Sequence, residues 1–189
     1  MSNLAYKYDD IRTELLNGKI VAMASAAPIH AQIALNIAMI FNNYLKGKRC
    51  KVLPAVDVHL GEKDVPVPDI SVVCNKDIIK ANGVHGAPDL IVEILSPSTA
   101  KNDKTYKKRL YQHSGVKEYW IVDPKARSIE VYLLQEDNFD SDKMYALYEN
   151  EDFGRITEER KAELLIKEFK SSLFDDLIIR LDDIFEDIV

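Results

Sequence analysis

The run LIVEIL at residues 90–95 is almost wholly apolar and carries one carboxylate, Glu93, inside it. Such a run is typical of a strand covered on both faces, so the sequence predicts packed structure on each side of a sheet. Burial of an isolated carboxylate is costly unless a cation or hydrogen-bond donors lie beside it. Glu93 is therefore either a paired, functional acid or, in the simpler alternative, a glutamate on an edge strand that faces solvent.

The segments around this run alternate between helical and strand patterns. An Asn17-Gly18 pair between two apolar runs predicts a β-hairpin, because both residues tolerate positive φ. Apolar residues at helical spacing predict a helix over Ile29–Leu45. The other predicted elements are strands at Lys51–Leu60 and Asp69–Val73, a surface connection over Asp77–Pro88, a helix at Lys104–Ser114, and strands at Glu118–Val122 and Ser128–Leu134. This order predicts an α/β (mixed α+β) fold, a central mixed β-sheet flanked by helices with an N-terminal β-hairpin.

The chain has the size and composition of one globular domain over residues 1–189, with 47% hydrophobic and 30% charged residues. From Gln135 onward the composition turns polar and acidic, and Ile156–Lys170 is predicted to form a charged surface helix. No window approaches the roughly 18 apolar residues that a membrane span needs. The first residues also lack the pattern of a secretory signal, so we expect no membrane partner and a cytoplasmic location.

The formal net charge of −6 argues against a general nucleic-acid coat, because affinity for phosphate backbones comes mainly from lysine and arginine. The charge is unevenly distributed, however, and basic residues concentrate between Lys101 and Arg109. This run is either an ordinary solvated helix face or a surface that contacts a phosphate backbone without reading its sequence.

The cysteines and histidines show no spacing that indicates a metal site. Cys50 and Cys74 lie far apart in sequence, so we predict reduced, buried thiols and no disulfide. His30 stands at the start of a predicted helix, and the other three histidines lie in separate segments, so no histidine is assigned to the site.

A second acid, Asp69, follows Pro68 at the start of a predicted strand. It is either a turn aspartate or, together with Glu93 on a neighbouring strand, a ligand of a shared cation. Asp89 is a rival for this role, but it lies on the same strand as Glu93, and a site drawn from two strands needs Asp69. A ligand set made only of oxygen suits Mg²⁺ or Mn²⁺.

One face of the helix that follows Glu93 carries Lys104, Lys107, Lys108 and Tyr111 at spacings of three and four. A lysine on this face could reach a metal-bound water or a phosphate. Tyr111 is either a core residue or a hydroxyl that faces the site. Gln32, on the earlier helix, is a further candidate for substrate contact.

Several of these residues together resemble a known family. The pairs and runs Pro68-Asp69, EILSPST at 93–99, Asp103 with Lys107, and GVKEYWIVDP at 115–124 are similar to the Uma family, a branch of the restriction-endonuclease-like PD-(D/E)XK superfamily. The resemblance covers residues 6–134. It implies an endonuclease-like core there, with residues 135–189 as a C-terminal extension packed on that core.

The resemblance also implies a function and roles for single residues. It implies a magnesium-dependent nuclease site in which Asp69 and Glu93 bind the metal, with Glu14 as a further acid and Asp57 as a less regular match. The superfamily places a lysine two residues after the glutamate, but Leu95 stands there. The family resemblance assigns that role to Lys107 on the following helix.

Three hypotheses follow. The first is a metal-dependent endonuclease that hydrolyses DNA, for which double-strand cleavage by one site per chain favours a homodimer. The second is a catalytically inactive member that binds nucleic acid or a protein, motivated by Leu95 and the net acidity. The third is a metal-dependent hydrolase of another phosphate ester.

Overall fold

A computed structural model of the chain describes residues 12–148, 157, 159, 161, 165–186 and 188. Within these residues the chain forms a mixture of strands and shorter helical segments. The strands are β1 (Thr13–Leu16), β2 (Lys19–Ala22), β3 (Lys51–Pro54), β4 (Val58–His59), β5 (Ile70–Val73), β6 (Ile79–Lys80), β7 (Gly83–His85), β8 (Leu90–Ile94), β9 (Glu118–Asp123), β10 (Ser128–Gln135), β11 (Asn138–Ala146), β12 (Glu168–Lys170) and β13 (Ile178–Arg180).

Six strands form the central sheet, in the order β11-β10-β9-β8-β5-β3. Strands β8 and β9 are parallel, and the other neighbouring pairs are antiparallel. The predicted mixed sheet is therefore confirmed. Strand β3, which carries Pro54, lies at the sheet edge, where a proline is tolerated.

Helical segments cover both faces of this sheet. They are α1 (Pro28–Leu45), α2 (Ala100–Asn102), a π-helical turn (Asp103–Lys107), α3 (Lys108–Ser114) and α4 (Leu181–Phe185), with a 3₁₀ turn at Lys76–Ile78. The consecutive segments from α2 to α3 form one composite helix, residues 100–114. Gly115 ends it with a φ of 87°, a conformation that glycine adopts without a steric penalty.

Strand β8 is buried at all five positions, as its apolar run predicts. On one face, Val92 and Ile94 pack in the same core as Ile33 and Phe41 of α1. On the other face, Ile91 packs with aromatic residues of the composite helix and β9. Glu93 alternates with Val92 and Ile94 along the strand, so it shares the face of Ile91 and points toward the composite helix.

The predicted N-terminal hairpin is confirmed. Strands β1 and β2 are antiparallel, and Asn17 and Gly18 connect them with φ angles of 51° and 71°. Leu15 exchanges two backbone hydrogen bonds with Val65, which fixes the hairpin against the segment that leads to Asp69. The neighbouring Glu14 is 6% exposed, so its carboxylate enters the protein interior.

The prediction of one strand over Lys51–Leu60 is wrong. The chain turns at Ala55, which has a φ of 49°, and continues as β4 in a separate three-stranded sheet with β6 and β7. The segment Asp77–Pro88, predicted as a connection, supplies two of these strands. These strands are two or three residues long, which is too short for an alternating apolar pattern to be recognised in the sequence.

The prediction of two reduced cysteines is also wrong, because Cys50 and Cys74 form a disulfide. The antiparallel pairing of β3 and β5 places Lys51 opposite Val73. The cysteines are the next residues beyond this pair, so the sheet brings together two side chains that are 24 residues apart in sequence.

Beyond the predicted core, β11 adds an edge strand to the sheet, and the described residues 165–186 return to it. Phe169, Ile179, Ile184 and Phe185 join the core that α1 covers. Residues 156, 158, 160 and 162–164 of the helix predicted over Ile156–Lys170 lie outside the described residues, but its last three residues form strand β12, which corrects that boundary. No helix within the described parts of the chain is long and apolar enough to cross a membrane.

Candidate active site

The two acids predicted as metal ligands lie at adjacent strand ends. Strands β5 and β8 are antiparallel, with Ile70 opposite Val92. One step further along this register, Asp69 faces Glu93. The structure therefore brings together Asp69 and Glu93, which are separated by 23 intervening residues in sequence.

Lys107 lies among three carboxylates, Glu14, Glu93 and Asp103, which we call the carboxylate cluster. Its Nζ is 2.9 Å from Glu14 Oε2, 3.2 Å from Glu93 Oε1 and 3.5 Å from Asp103 Oδ1. The Lys107 side chain is 3% exposed. The family resemblance assigns the role of the lysine expected at position 95 to Lys107, and in the structure Lys107 contacts Glu93 directly.

The π-helical turn begins at Asp103 and ends at Lys107, so both members of this ion pair lie in it. A π-helical turn is rare and is found often at functional sites. Asp103 is 1% exposed, and neither of its carboxylate oxygens has a hydrogen-bond partner within the described residues. Such a buried acid is costly, and the Lys107 ammonium offsets part of this cost.

Tyr111 lies one turn further along the composite helix and holds Glu93 from a second side. Its hydroxyl donates a hydrogen bond of 2.6 Å to Glu93 Oε1, the same oxygen that Lys107 contacts. The tyrosine is fully buried. Of the four residues predicted to contact substrate, Tyr111 is the one that the described structure places against a member of the carboxylate cluster.

Burial changes the proton affinities of this cluster. Burial raises the pKa of the Glu93 carboxyl to about 8, although Lys107 opposes the shift. Burial also raises the pKa of Asp103, again against the effect of Lys107. Burial alone would lower the pKa of the Lys107 ammonium, but Glu93, Glu14 and Asp103 outweigh it and raise that pKa. Lys107 therefore remains a cation at neutral pH.

The free energy of unfolding is expected to fall as pH rises from about 4.5 to about 8 in the absence of divalent ions. Folded Glu93 keeps its proton to about pH 8, whereas the unfolded chain releases it near 4.5, so the folded state binds more protons in this window. One such group contributes at most about 1.4 kcal/mol per pH unit. Urea unfolding at several pH values measures the slope.

The matched variant for this measurement is Glu93→Gln, which removes the titrating group and keeps the side-chain volume. It is expected to flatten the decline between about pH 4.5 and pH 8 relative to the unsubstituted chain. Identical slopes for the two proteins would contradict the raised pKa of Glu93.

Asp69 is held by two groups from other elements. Its Oδ2 accepts a 2.7 Å hydrogen bond from the Ile94 backbone N–H and lies 3.3 Å from His30 Nε2. His30 belongs to the first turn of α1 and was assigned no role from sequence. In the sequence, His30 is notable only for its position after Pro28-Ile29 at a helix start. That position does not indicate a contact with Asp69.

The donor set around these strand ends fits a hard cation. Within the described residues, Asp69 Oδ1 and Glu93 Oε2 accept no hydrogen bond, so each acid keeps one oxygen for another partner. Carboxylate oxygens are preferred ligands of Mg²⁺ and Mn²⁺. No group of three or more His, Cys, Asp or Glu side chains in the described residues is arranged to hold a metal. A site with two protein carboxylates would therefore be completed by water and substrate oxygens, as is common for Mg²⁺.

Three other predicted substrate contacts have partners elsewhere. Lys104 Nζ lies 2.8 Å from Glu130 Oε1, and Lys108 Nζ lies 3.5 Å from the centre of the Tyr132 ring. Gln32 donates a hydrogen bond to Asn36 within α1. Contact between these three residues and a substrate remains a prediction.

Comparisons with known proteins identify a similar fold and a family. A solved structure of a nuclease-like protein from Anabaena variabilis, titled "putative nuclease belonging to DUF820", matches with a TM-score of 0.65 and 21% identity, over 92% of this chain and 89% of that one. This likeness confirms the fold. An uncharacterized protein of Synechocystis sp., slr1290, is 30% identical over 135 residues, which are 66% of this chain and 67% of the relative.

A family model matches most of the chain. The model is that of Uma2, described as "Putative restriction endonuclease", and it covers residues 2–165. This match includes Glu14, Asp69, Glu93 and Lys107, and the family description supports a nuclease-like function. Because the model matches most of its length, the chain belongs to the Uma2 family.

Proposed function

We propose that this protein is a divalent-metal-dependent endonuclease that hydrolyses phosphodiester bonds of DNA. One observation supports this most strongly: Asp69 and Glu93 face each other at adjacent strand ends while the buried Lys107 ammonium contacts Glu93. Two acids at this position can bind a divalent cation, and the lysine supplies a positive charge near the phosphate. Hydrolysis of a phosphodiester bond is promoted by both.

Each residue has a distinct role in this proposal. Asp69 and Glu93 would hold Mg²⁺ or Mn²⁺, which when bound lowers the pKa of a coordinated water and polarises the phosphorus–oxygen bond. Lys107 orients the attacking water or offsets negative charge that develops on the phosphate. Glu14 holds the lysine at 2.9 Å, and Tyr111 fixes the Glu93 carboxylate from the other side.

DNA as the partner agrees with the family description and with the local distribution of charge. Lys101 and Arg109 on the composite helix are exposed, so they can contact a phosphate backbone, whereas the chain as a whole has a net charge of −6. We therefore expect weak, salt-sensitive binding at this helix. We further propose that the protein is a cytoplasmic homodimer with one site per chain.

A catalytically inactive DNA- or protein-binding module is the second candidate. It is favoured by Leu95 at the usual lysine position and by the three carboxylates that already surround Lys107. A lysine held in this way has fewer donors left for a water or a phosphate. The two candidates share the fold and differ in whether the site reacts.

The experiment incubates the purified chain with supercoiled and linear DNA in Mg²⁺, in Mn²⁺ and with a chelator. We expect metal-dependent cleavage that is lost in Asp69→Asn and in Glu93→Gln. Glu62→Gln is the matched control, because Glu62 is exposed and makes no contact with Lys107 or Tyr111, and it should cleave like the unsubstituted chain. Cleavage that persists in both site variants would refute the proposal, and DNA binding without cleavage would support the inactive module.

A further inference from the structure

His30 connects the first turn of α1 to the ends of both strands that carry the site acids. Its Nε2 lies 3.3 Å from Asp69 Oδ2 and 3.1 Å from the Ile94 carbonyl oxygen. Both neighbours are hydrogen-bond acceptors, so this nitrogen must carry a proton and donate. The side chain is 16% exposed, which shields the contact from most competing water.

The same two strand ends also contact each other. The Ile94 N–H donates to Asp69 Oδ2 at 2.7 Å, so this oxygen faces two donors, one from β8 and one from His30. Two donors on one oxygen restrict the rotation of the carboxylate. The other oxygen, Oδ1, accepts no hydrogen bond within the described residues and is the one left for a cation.

We infer that His30 is a positioning residue for the divalent-metal site, and that its Nε2–H holds the Asp69 carboxylate in the orientation in which Oδ1 can bind the ion. This inference rests on the proposed function, because it assumes that Asp69 is a metal ligand. Hydrogen bonds to ligating groups orient them, and loss of such a bond commonly weakens metal binding by about 10- to 100-fold.

A merely structural role for His30 would be to tie α1 to the sheet. The two roles differ in which substitution of His30 preserves metal binding. Glutamine can place an N–H donor close to the position of Nε2, whereas leucine fills the volume without any donor. A positioning role therefore requires that His30→Gln retains metal binding and that His30→Leu loses it while both variants stay folded.

The test measures Mn²⁺ binding by electron paramagnetic resonance and calorimetry, without DNA, on the full chain. His30→Leu is expected to bind Mn²⁺ about tenfold or more weakly, and His30→Gln within about threefold of the unsubstituted chain. His113→Leu is the matched control, because His113 is an exposed helix histidine whose ring forms a hydrogen bond with the Arg109 carbonyl and none with Asp69 or Ile94. Thermal unfolding of each metal-free variant reports on the fold.

The outcomes separate this inference from the proposed function. Unchanged Mn²⁺ binding by His30→Leu would overturn the inference and leave the nuclease proposal standing. Equal loss of binding in the leucine and glutamine variants, together with a lower melting temperature in both, would show a structural role and also overturn it. If the unsubstituted chain binds no Mn²⁺, the metal-dependent function and this inference both fail.

Discussion

Replacement of Lys107 by methionine is expected to lower the free energy of unfolding by about 3–5 kcal/mol near pH 8. The Lys107 ammonium is 3% exposed and lies within 4 Å of Glu14, Glu93 and Asp103, all of which are buried. Methionine fills a similar volume but leaves these acids without their cation. They must then either remain charged in the interior or take up protons, and both cost free energy.

This cost is expected to depend on pH. At pH 5 Glu93 carries its proton, because burial raises its pKa to about 8, and burial also raises the pKa of Asp103. A neutral carboxyl needs the ammonium much less than a carboxylate does. The destabilisation by Lys107→Met should therefore be larger at pH 8 than at pH 5, which urea unfolding at the two pH values measures.

Lys104→Met is the matched control for this variant. Lys104 lies on the same helix, but its side chain is 43% exposed and it contacts one acid, Glu130. An exposed pair of this kind contributes about 0–1 kcal/mol. In addition, Glu93→Gln combined with Lys107→Met should recover part of the loss, because it removes one uncompensated acid. An equal effect of the two lysine substitutions would contradict the role of Lys107 as the counter-ion of the cluster.

The elements that could be predicted from sequence are those specified by local patterns. The Asn17-Gly18 pair determines a hairpin turn, and the apolar spacing in α1 determines which face is buried. The run at residues 90–95 identified a buried strand with an acid inside it, and so indicated one place where chemistry could occur. These signals lie within a few residues of each other, so tertiary structure is not needed to interpret them.

The features that were missed depend on which strands become neighbours. The disulfide requires β3 beside β5, and the contact of His30 with Asp69 and Ile94 requires α1 to begin above two strand ends. Strand β11 was missed because its polar, acidic sequence is typical of a surface segment. It is an edge strand, and it packs against the rest of the protein along only part of its length. Long-range strand pairing depends on many residues together, so no single pattern in the sequence predicts it.

Glu118→Ala is expected to lower the free energy of unfolding by about 3–5 kcal/mol, because it removes the acceptor of four hydrogen bonds in the interior. Glu118 is fully buried at the start of β9. Its Oε1 accepts a 2.6 Å bond from Trp120 Nε1, and its Oε2 accepts bonds from Ser171 Oγ and from both the backbone N–H and the hydroxyl of Ser172. Three of these four donors belong to the segment that follows β12.

The Glu118 carboxylate therefore ties residues 168–186 to the central sheet, and its removal should loosen that segment before the rest. Hydrogen exchange of peptides from residues 168–186 measures this, with Glu130→Ala as the control, because Glu130 is partly exposed and contacts Lys104 and Tyr132 instead. Glu118 shares a sheet face with Trp120, in the core under α1, whereas Glu93 faces the composite helix. Exchange should therefore accelerate more in residues 168–186 than in the composite helix, and equal acceleration of both segments would show that the two faces of the sheet unfold as one unit.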